Sequence, residues 1–346
     1  MDGYRPISLQ NCSVKILSKV LAFRLQIALT KMIHMDQTGF LKGRCISENL
    51  IFATELIQAC HKRGCQTLII KLDFAKAFDS VNWESLLKIL AVRGFPDNWI
   101  GWINKLLTSS KSSVLINGIP GSWINCRRGL RQGDPLSPYL FILVADVLQR
   151  LLERNASLRH PIYHDRPYAT IQYADDTLII CRAEEDDVRA LKSSILSFSK
   201  ATGLHINFAK STMISLHVDL QKEATLSKLL QCKRENWPMS YLGLPLTVHK
   251  LSIGDLQPLL NKVDGFLAGW EASLLCQAER LVLINAVLNS LPVYAMSAFK
   301  LPPSVIEEID KRRRAFLCTG EDVCSRAVAW LPGMWFALQR NWVELE

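Results

Sequence analysis

Three acidic side chains stand where short apolar segments of the sequence end. Asp73 follows the apolar run Thr67–Leu72, and Asp175 and Asp176 lie side by side between two apolar stretches within residues 171–181. Carboxylates that a fold gathers raise one another's pKa, so a protein that groups them usually supplies a cation. We therefore predict a metal site at Asp73, Asp175 and Asp176, where two Mg²⁺ ions could promote a phosphoryl displacement. For Asp175-Asp176 alone, an ordinary turn is the alternative.

The elements that must position these carboxylates mix strands and helices, which predicts an α+β fold with an antiparallel sheet. Strands are expected at residues 67–73, within 171–181 and at 206–208, with a hairpin at Asn117-Gly118. Helices are expected at residues 13–33, from Ser47, from Asn82, at 97–107, at 137–153 and from Asp186 to Gly203. After Pro245 the pattern is mostly helical, with helices at 274–288 and 306–316.

Composition limits the classes of protein that fit. The 346 residues are 49% hydrophobic, which excludes a small disulfide scaffold and a disordered chain. The net charge of +9 favours a polyanionic partner such as nucleic acid, and an ordinary basic enzyme is the alternative. The ten cysteines form no CxxC pair, which indicates reduced thiols, an intracellular location and no zinc. No segment resembles a signal peptide or membrane span; nuclear and cytoplasmic locations both remain open.

Several motifs surround the carboxylates in a fixed order. They are LDFAKAFDSVNW at residues 72–83, RGLRQGDPLSP at 128–138 and YADD at 173–176. Together they resemble the palm motifs of reverse transcriptases from non-LTR (LINE-type) retrotransposons, a class abundant in plant genomes. Further similar segments lie at residues 4–9, 37–44, 203–211 and 241–246, so the resemblance runs from about residue 4 to 317.

The resemblance implies a right-hand polymerase fold and RNA-directed DNA polymerase activity. Residues 1–66 would be fingers-like, 67–250 the palm with fingers and connecting insertions, and 251–317 a helical thumb-like segment, with 318–346 an unaligned tail. The implied partners are an RNA template, a DNA primer and a dNTP, and the implied cofactor is a pair of Mg²⁺ ions. The chain is expected to be a truncated fragment, and its oligomeric state stays open.

The resemblance also assigns roles around the nucleotide. Asp73, Asp175 and Asp176 would hold the metal ions with help from the Phe74 carbonyl. Phe78 would be a steric gate that excludes a ribose 2′-hydroxyl, the alternative being a core phenylalanine.

Further residues are expected to contact the incoming nucleotide or the base pair. Gln132 and Gly133 would line the nascent base pair. Arg44 and Lys42 would face the triphosphate, although solvated surface charge is the alternative. Lys210 would protonate the pyrophosphate or serve in a salt bridge or in backbone binding.

Contacts to nucleic acid are expected further along the chain. Tyr241 and Gly243 lie in a segment that resembles a hairpin gripping the primer strand. Lys311, Arg312, Arg313 and Arg314 could contact phosphates. A solvated helix end or a nuclear-import signal would explain the same basic run.

Two other functions compete with this interpretation. An RNA-dependent RNA polymerase would also use two carboxylate clusters and could read the ribose with Asp79, but Phe78 and Ala174 argue against it. A catalytically inactive remnant that at most binds RNA is the second alternative. It is suggested by the missing endonuclease-like and cysteine/histidine-knuckle sequence, whereas the intact aspartates favour catalysis.

Overall fold

A computed structural model describes Ser8 and residues 10–163, 169–269 and 274–318 of the chain. The chain divides between Val248 and His249 into two units, called here the first and the second unit. Most of the predicted motif at residues 4–9, and all but Cys318 of the predicted tail, lie outside the described residues. None of the described helices is long and apolar enough to cross a membrane.

The first unit contains a five-stranded sheet in the order β6-β7-β1-β8-β9. Its strands are β1 (Thr67–Leu72), β6 (Ala169–Tyr173), β7 (Asp176–Arg182), β8 (Thr212–Leu216) and β9 (Lys233–Arg234). All neighbours are antiparallel except β8 and β9, which are parallel. The central strand β1 is buried at every position but Lys71, which explains why its sequence is a continuous apolar run and does not alternate.

Shorter strands lie outside this sheet. An arm from Lys111 to Asn125 contains β2 (Lys111–Ser112), β3 (Leu115–Ile116), β4 (Ile119–Pro120) and β5 (Ile124–Asn125). At its tip, Asn117 and Gly118 have φ of 51° and 83°, the left-handed pair that a tight hairpin requires, as predicted. A separate hairpin pairs β10 (Met239–Tyr241) with β11 (Leu244–Leu246).

Helices surround the sheet of the first unit. They are α1 (Cys12–Met32), α2 (Ile46–Lys62), α3 (Ala77–Ser80), α4 (Trp83–Val92), α5 (Asp97–Thr108), α6 (Ser137–Glu153), α7 (Glu185–Thr202) and α8 (Leu220–Leu230). Helix α6 packs against α1, α4 and α7, and most of its residues are buried. One of them, Asp146, is charged; its carboxylate accepts hydrogen bonds from Arg93, Arg150 and the His34 N–H, so the buried charge is paired.

The second unit is helical in its described part. It contains a short 3₁₀ turn (Gly254–Leu256), α9 (Gln257–Ala268), α10 (Gln277–Leu283), α11 (Val293–Met296) and α12 (Pro303–Cys318). A π-helical turn at Ile284–Leu288 continues α10. Its small core includes Val263, Leu267, Ile284, Leu288 and Phe316.

Most predicted elements of the first unit are confirmed, and the errors have local causes. Asn82 caps α4 through a hydrogen bond that its side chain accepts from Ser85, and Gly203 ends α7, both as predicted. The strand predicted at residues 206–208 is wrong: Ile206 makes one isolated bridge to Phe74, and the strand that pairs with β1 is β8. The predicted cap Ser47 is also wrong, because α2 begins at Ile46 and Cys45 is its cap.

Two glycines allow close packing around helix α3 and the residues that follow it, up to Asn82. A Cβ on Gly129 would lie 2.7 Å from the Asp79 carbonyl oxygen, and a Cβ on Gly203 would lie 2.7 Å from that of Ser80. Both glycines have positive φ. The Gly129 N–H donates to the Val81 carbonyl and the Leu130 N–H to the Phe78 carbonyl, so this segment is held by backbone hydrogen bonds as well as by contact. Close contacts and backbone hydrogen bonds therefore fix the position of α3, which carries Phe78 and Asp79.

The space at Gly203 can be tested against a glycine with the same conformation. Gly94 and Gly203 both follow a helix and both have φ of 80°, but a Cβ on Gly94 would meet nothing within 4 Å. We expect Gly94→Ala to lower the free energy of unfolding by about 1 kcal/mol, the cost of a left-handed alanine. Gly203→Ala should lower it by roughly 2 to 4 kcal/mol because the clash adds to the strain. Urea unfolding of both variants measures the difference, and equal losses would contradict the close packing.

Candidate active site

The strand register brings Asp73 next to the β6–β7 hairpin. Strand β1 pairs with β7 so that Leu72 lies opposite Thr177. One further step in this register places Asp73 opposite Asp176, although the paired region ends at Leu72. Residues opposite each other on antiparallel strands point to the same face with Cβ atoms about 5 Å apart. This register directs the Asp73 side chain towards that of Asp176 at the end of the hairpin.

The backbone of Asp73 is held on the other side by the segment before β8. Its N–H donates to the Ser211 hydroxyl at 3.1 Å, and its carbonyl accepts from the Asn207 N–H at 2.8 Å. The Ala75 N–H donates to the His205 carbonyl. Phe74 and Ile206, which lie between these two hydrogen bonds, are therefore a non-hydrogen-bonded pair of an antiparallel bridge. The Phe74 carbonyl consequently points away from residues 205–207, towards the side of β1 on which β7 lies.

Asp175 occupies the tip of the hairpin. Tyr173 pairs with Asp176, so Ala174 and Asp175 are the two residues of the turn. Ala174 has φ of 55°, a left-handed conformation that two-residue hairpins require and that glycine or asparagine usually supplies. Ala174 is buried, whereas Asp175 is only partly covered and reaches the cleft described next.

An open cleft of about 1140 Å³ lies beside the hairpin tip. It is lined by residues 73–80, Arg128, residues 131–134, Ser137, Pro138, Asp175, His205, Asn207 and Lys210. Seven of the predicted site residues are among them: Asp73, Phe74, Phe78, Gln132, Gly133, Asp175 and Lys210. Segments far apart in the sequence thus meet in one cleft. Asp176 begins β7 and does not belong to the lining.

Two carboxylates and three cations of the cleft have no partner among the described residues. In the described part of the chain, the carboxylates of Asp73 and Asp175 accept no hydrogen bond and form no salt bridge, and the Lys76, Arg128 and Lys210 side chains likewise have no partner. No three described His, Cys, Asp or Glu side chains converge to enclose a metal ion. Mg²⁺ is commonly held by one or two carboxylates together with substrate phosphates, so an open carboxylate edge fits this ion better than a closed cage would.

Phe78 is one of the residues that line the cleft. Its ring is half-buried and stacks on Phe141 with centroids 4.7 Å apart and planes 13° from parallel. Beside it, Gln132 donates a hydrogen bond from its amide to the Asp79 carboxylate at 3.2 Å. One face of the Phe78 ring therefore packs on the core, while the side chain also lines the cleft. Phe78 thus has features of both the predicted steric gate and the alternative, a core phenylalanine.

Arg44 lies elsewhere and has a structural role in this fold. Its guanidinium donates hydrogen bonds to the backbone carbonyls of His34, Gln37 and Ile33, at and after the end of α1. Burial lowers its pKa from the ordinary value. Arg44 and the exposed Lys42 do not belong to the cleft lining. The prediction that Arg44 faces the triphosphate is therefore corrected, because its donors already bind carbonyl oxygens.

The basic run in α12 is also largely used within its own unit. Arg313 is 1% exposed and donates to Asp310 and Asn289. Arg312 pairs with Asp264 and Glu308, and the exposed Lys311 pairs with Glu308. Arg314 is half-buried and donates to the Asp310 carbonyl. The predicted phosphate contact is thus corrected for Arg313, whose side chain is enclosed; for Lys311, Arg312 and Arg314 it stays a prediction.

In the hairpin at residues 239–246, a side chain predicted to contact nucleic acid is likewise enclosed within the fold. The Tyr241 side chain is fully buried, and its hydroxyl donates to the Ile171 carbonyl of β6 at 3.4 Å. Tyr241 packs inside the first unit, which corrects its predicted contact with nucleic acid. Gly243 has φ of 80° in the turn and is exposed, so a contact of its backbone with a strand stays a prediction.

The sequence predicted no site role for several residues of the cleft and its hairpin, of which four stand out. Lys76, Arg128 and His205 line the cleft, and Gln37 contacts the hairpin turn. Each lies inside a motif that was recognised but was given no role of its own. The signal that could have found Lys76 and Arg128 was their position within a few residues of Phe78 and Gln132 in the same motifs.

A solved structure shares this architecture. The telomerase of Candida tropicalis, solved with a TWJ fragment of telomeric RNA, superposes with a TM-score of 0.50 over 87% of this chain and 46% of that chain, at 13% sequence identity. At this identity the likeness shows the fold alone. The fold is that of the right-hand polymerases.

Sequence comparisons then identify the family. The model described as "Reverse transcriptase (RNA-dependent DNA polymerase)" matches residues 1–246, and the chain belongs to this family. The Transposon TX1 uncharacterized 149 kDa protein of Xenopus laevis is 28% identical over 96% of the chain, and the Pol polyprotein from the R2DM element of Drosophila melanogaster is 28% identical over 91%. The chain spans 26% and 30% of these two relatives, respectively. The predicted non-LTR retrotransposon relationship is confirmed.

The structural role of Arg44 can be separated from a role in nucleotide binding. Lysine keeps the charge but cannot direct several donors at the three carbonyls, so Arg44→Lys should lower the free energy of unfolding by roughly 1 to 3 kcal/mol. Lys42→Ala, at the exposed neighbouring position, should change it little. Urea unfolding of both variants gives the comparison. An unchanged stability of Arg44→Lys, with a raised KM for nucleotide, would restore the original prediction.

Proposed function

We propose that this chain catalyses RNA-templated addition of deoxynucleotides to the 3′-hydroxyl of a DNA primer. The observation that carries the proposal is that Asp73 and Asp175 line one open cleft, which also contains cations that no described residue pairs. A cleft with both signs of charge suits a reaction that joins a metal-bound triphosphate to a nucleic acid end. The family to which the chain belongs supports the same activity.

Asp73, Asp175 and Asp176 would hold two Mg²⁺ ions, with the Phe74 carbonyl as a further oxygen donor. The donors are all hard oxygen atoms, and the side chains of Asp73 and Asp175 have no competing partner among the described residues. When bound, such ions activate the attacking hydroxyl and neutralise charge on the leaving pyrophosphate.

The cations of the cleft would bind the phosphates of the incoming nucleotide. Lys76, Arg128 and Lys210 line the cleft from different segments of the first unit, and each is exposed. In this role they replace Arg44, because no described residue pairs with their charged groups, whereas the Arg44 donors bind backbone carbonyls. Lys210 is also the residue that would deliver a proton to the leaving pyrophosphate.

Phe78 and Gln132 would select the nucleotide. The Phe78 ring, backed by Phe141, would occupy the space that a ribose 2′-hydroxyl needs. Gln132 and Gly133 line the cleft beside it, where an amide can hydrogen-bond a base pair and a glycine lets the backbone approach closely. RNA template and DNA primer are the expected partners, and the net charge of +9 favours their binding.

The catalytic role of Asp175 is tested by primer extension. We expect Mg²⁺-dependent extension of a DNA primer on an RNA template by the unmodified chain. Asp175→Ala should reduce the rate by about a thousandfold because a carboxylate that holds the ions is lost. Asp186→Ala removes an exposed aspartate outside the cleft and should leave the rate unchanged. Background signals from the unmodified chain and from Asp175→Ala alike would favour the alternative of an inactive remnant that binds RNA.

The predicted gate is tested by comparing two nucleotide classes. Phe78→Val should admit rNTPs and lower the preference for dNTPs over rNTPs by roughly tenfold to a hundredfold, because the ring no longer fills the space beside the sugar. Phe78→Tyr keeps the ring and should keep the preference. Steady-state kcat/KM for each nucleotide class gives the ratio. Equal use of dNTPs and rNTPs by the unmodified chain would instead indicate an RNA polymerase.

A further inference from the structure

We propose that Gln37 is a positioning residue that holds the Ala174-Asp175 turn in the conformation that presents the Asp175 carboxylate to the cleft. The proposal rests on the function proposed above for Asp175. Gln37 itself is fully buried and does not line the cleft, so it acts through the turn and not by contact with a nucleotide.

The side chain of Gln37 binds the turn through both ends of its amide. Its Oε1 accepts hydrogen bonds from the Ala174 N–H at 2.8 Å and from the Gly39 N–H at 2.9 Å. Its Nε2 donates to the Ala174 carbonyl at 3.3 Å. Both backbone polar groups of Ala174 are thus bound by one side chain from a segment more than a hundred residues away.

The backbone around Gln37 is fastened to the same strand. The Thr38 N–H donates to the Gln172 carbonyl and the Gln172 N–H donates to the Asp36 carbonyl, each at 3.0 Å. Gly39 then passes so close to the turn that a Cβ on it would lie 2.4 Å from the Ala174 nitrogen. The segment Asp36–Gly39, called here the brace, therefore lies directly against the hairpin tip.

The turn needs such external support because its sequence does not favour its conformation. A left-handed conformation is unfavourable for an alanine such as Ala174, and the turn has no glycine or asparagine that would adopt it with less strain. Buried hydrogen bonds are stabilising, so the bonds from Gln37 to Ala174 counteract this strain. Rotation of the peptide between Ala174 and Asp175 would redirect Asp175, which makes the brace a determinant of where the carboxylate points.

The experiment replaces Gln37 with methionine, which has a similar length and shape but makes no such hydrogen bonds. Asn49→Leu is the matched control: Asn49 is also buried and donates at 2.9 Å to Gln172 of the same strand, but does not bind the turn. Gln37→Asn is a milder second variant, whose amide is one methylene shorter and cannot reach both Ala174 and Gly39. All variants are made in the full chain.

The first measurement is hydrogen exchange of the amides of Ala174 and Gly39, which does not depend on activity. We expect exchange at both to be at least tenfold faster in Gln37→Met, and faster to a smaller extent in Gln37→Asn, whereas Asn49→Leu keeps the protection of the unmodified chain. The second measurement is Mn²⁺ binding to the chain by electron paramagnetic resonance. Loss of a residue that orients a metal ligand typically weakens binding tenfold to a hundredfold, and we expect this for Gln37→Met but not for Asn49→Leu.

Primer extension gives the third measurement. Gln37→Met should lower kcat and raise the Mg²⁺ concentration required for half-maximal rate, with little change in KM for dNTP. Unchanged exchange at Ala174, or faster exchange with unchanged Mn²⁺ affinity, would overturn the inference. If the unmodified chain extends no primer, the proposed function fails, while exchange and Mn²⁺ binding still decide the role of Gln37.

Discussion

The antiparallel pairing of β1 with β7 is the constraint on which the site depends. Because Leu72 lies opposite Thr177, the residue after β1 and the residues before β7 meet at one edge of the sheet. Side chains alternate along a strand, so a slip of one residue would turn Asp73 to the other face and separate it from the hairpin. The buried apolar residues of β1 prevent that slip, since it would also move them away from their packing partners.

Segments far from the sheet then complete the cleft through close backbone contacts. Helix α3, which carries Phe78, lies against Gly129 and Gly203, where a side chain would have no room. The hairpin tip lies against Gly39 in a similar way. At Gly39, Gly129 and Gly203, the absence of a side chain allows the backbone of one motif to contact the backbone of another. The motifs are therefore linked by steric fit as well as by their order in the sequence.

The arginines show why charge counted along a sequence misleads about binding. Arg44 and Arg313 were expected at phosphate groups, yet both are engaged inside the fold, one with backbone carbonyls and the other with Asp310 and Asn289. Arg128 and Lys76, which received no role from the sequence, line the cleft without partners among the described residues. A guanidinium has five N–H donors, which can bind the backbone carbonyls at a helix end or the oxygens of a phosphate. Residue type alone therefore does not tell these two roles apart.

The sequence by itself determined the local elements and the chemistry that the chain carries. The run before Asp73, the paired aspartates between two apolar stretches and the glycine after α7 predicted most helices and strands near the site, because these signals depend on a few neighbouring residues. The strand at 206–208 was wrong because its short apolar pattern fits a single bridge as well as a paired strand. Only the tertiary structure decided which cations of the cleft have no partner within the described part of the chain, that Tyr241 is buried and that Gln37 reaches Ala174. These features arise from contacts between distant segments, and no local pattern encodes which donor meets which acceptor.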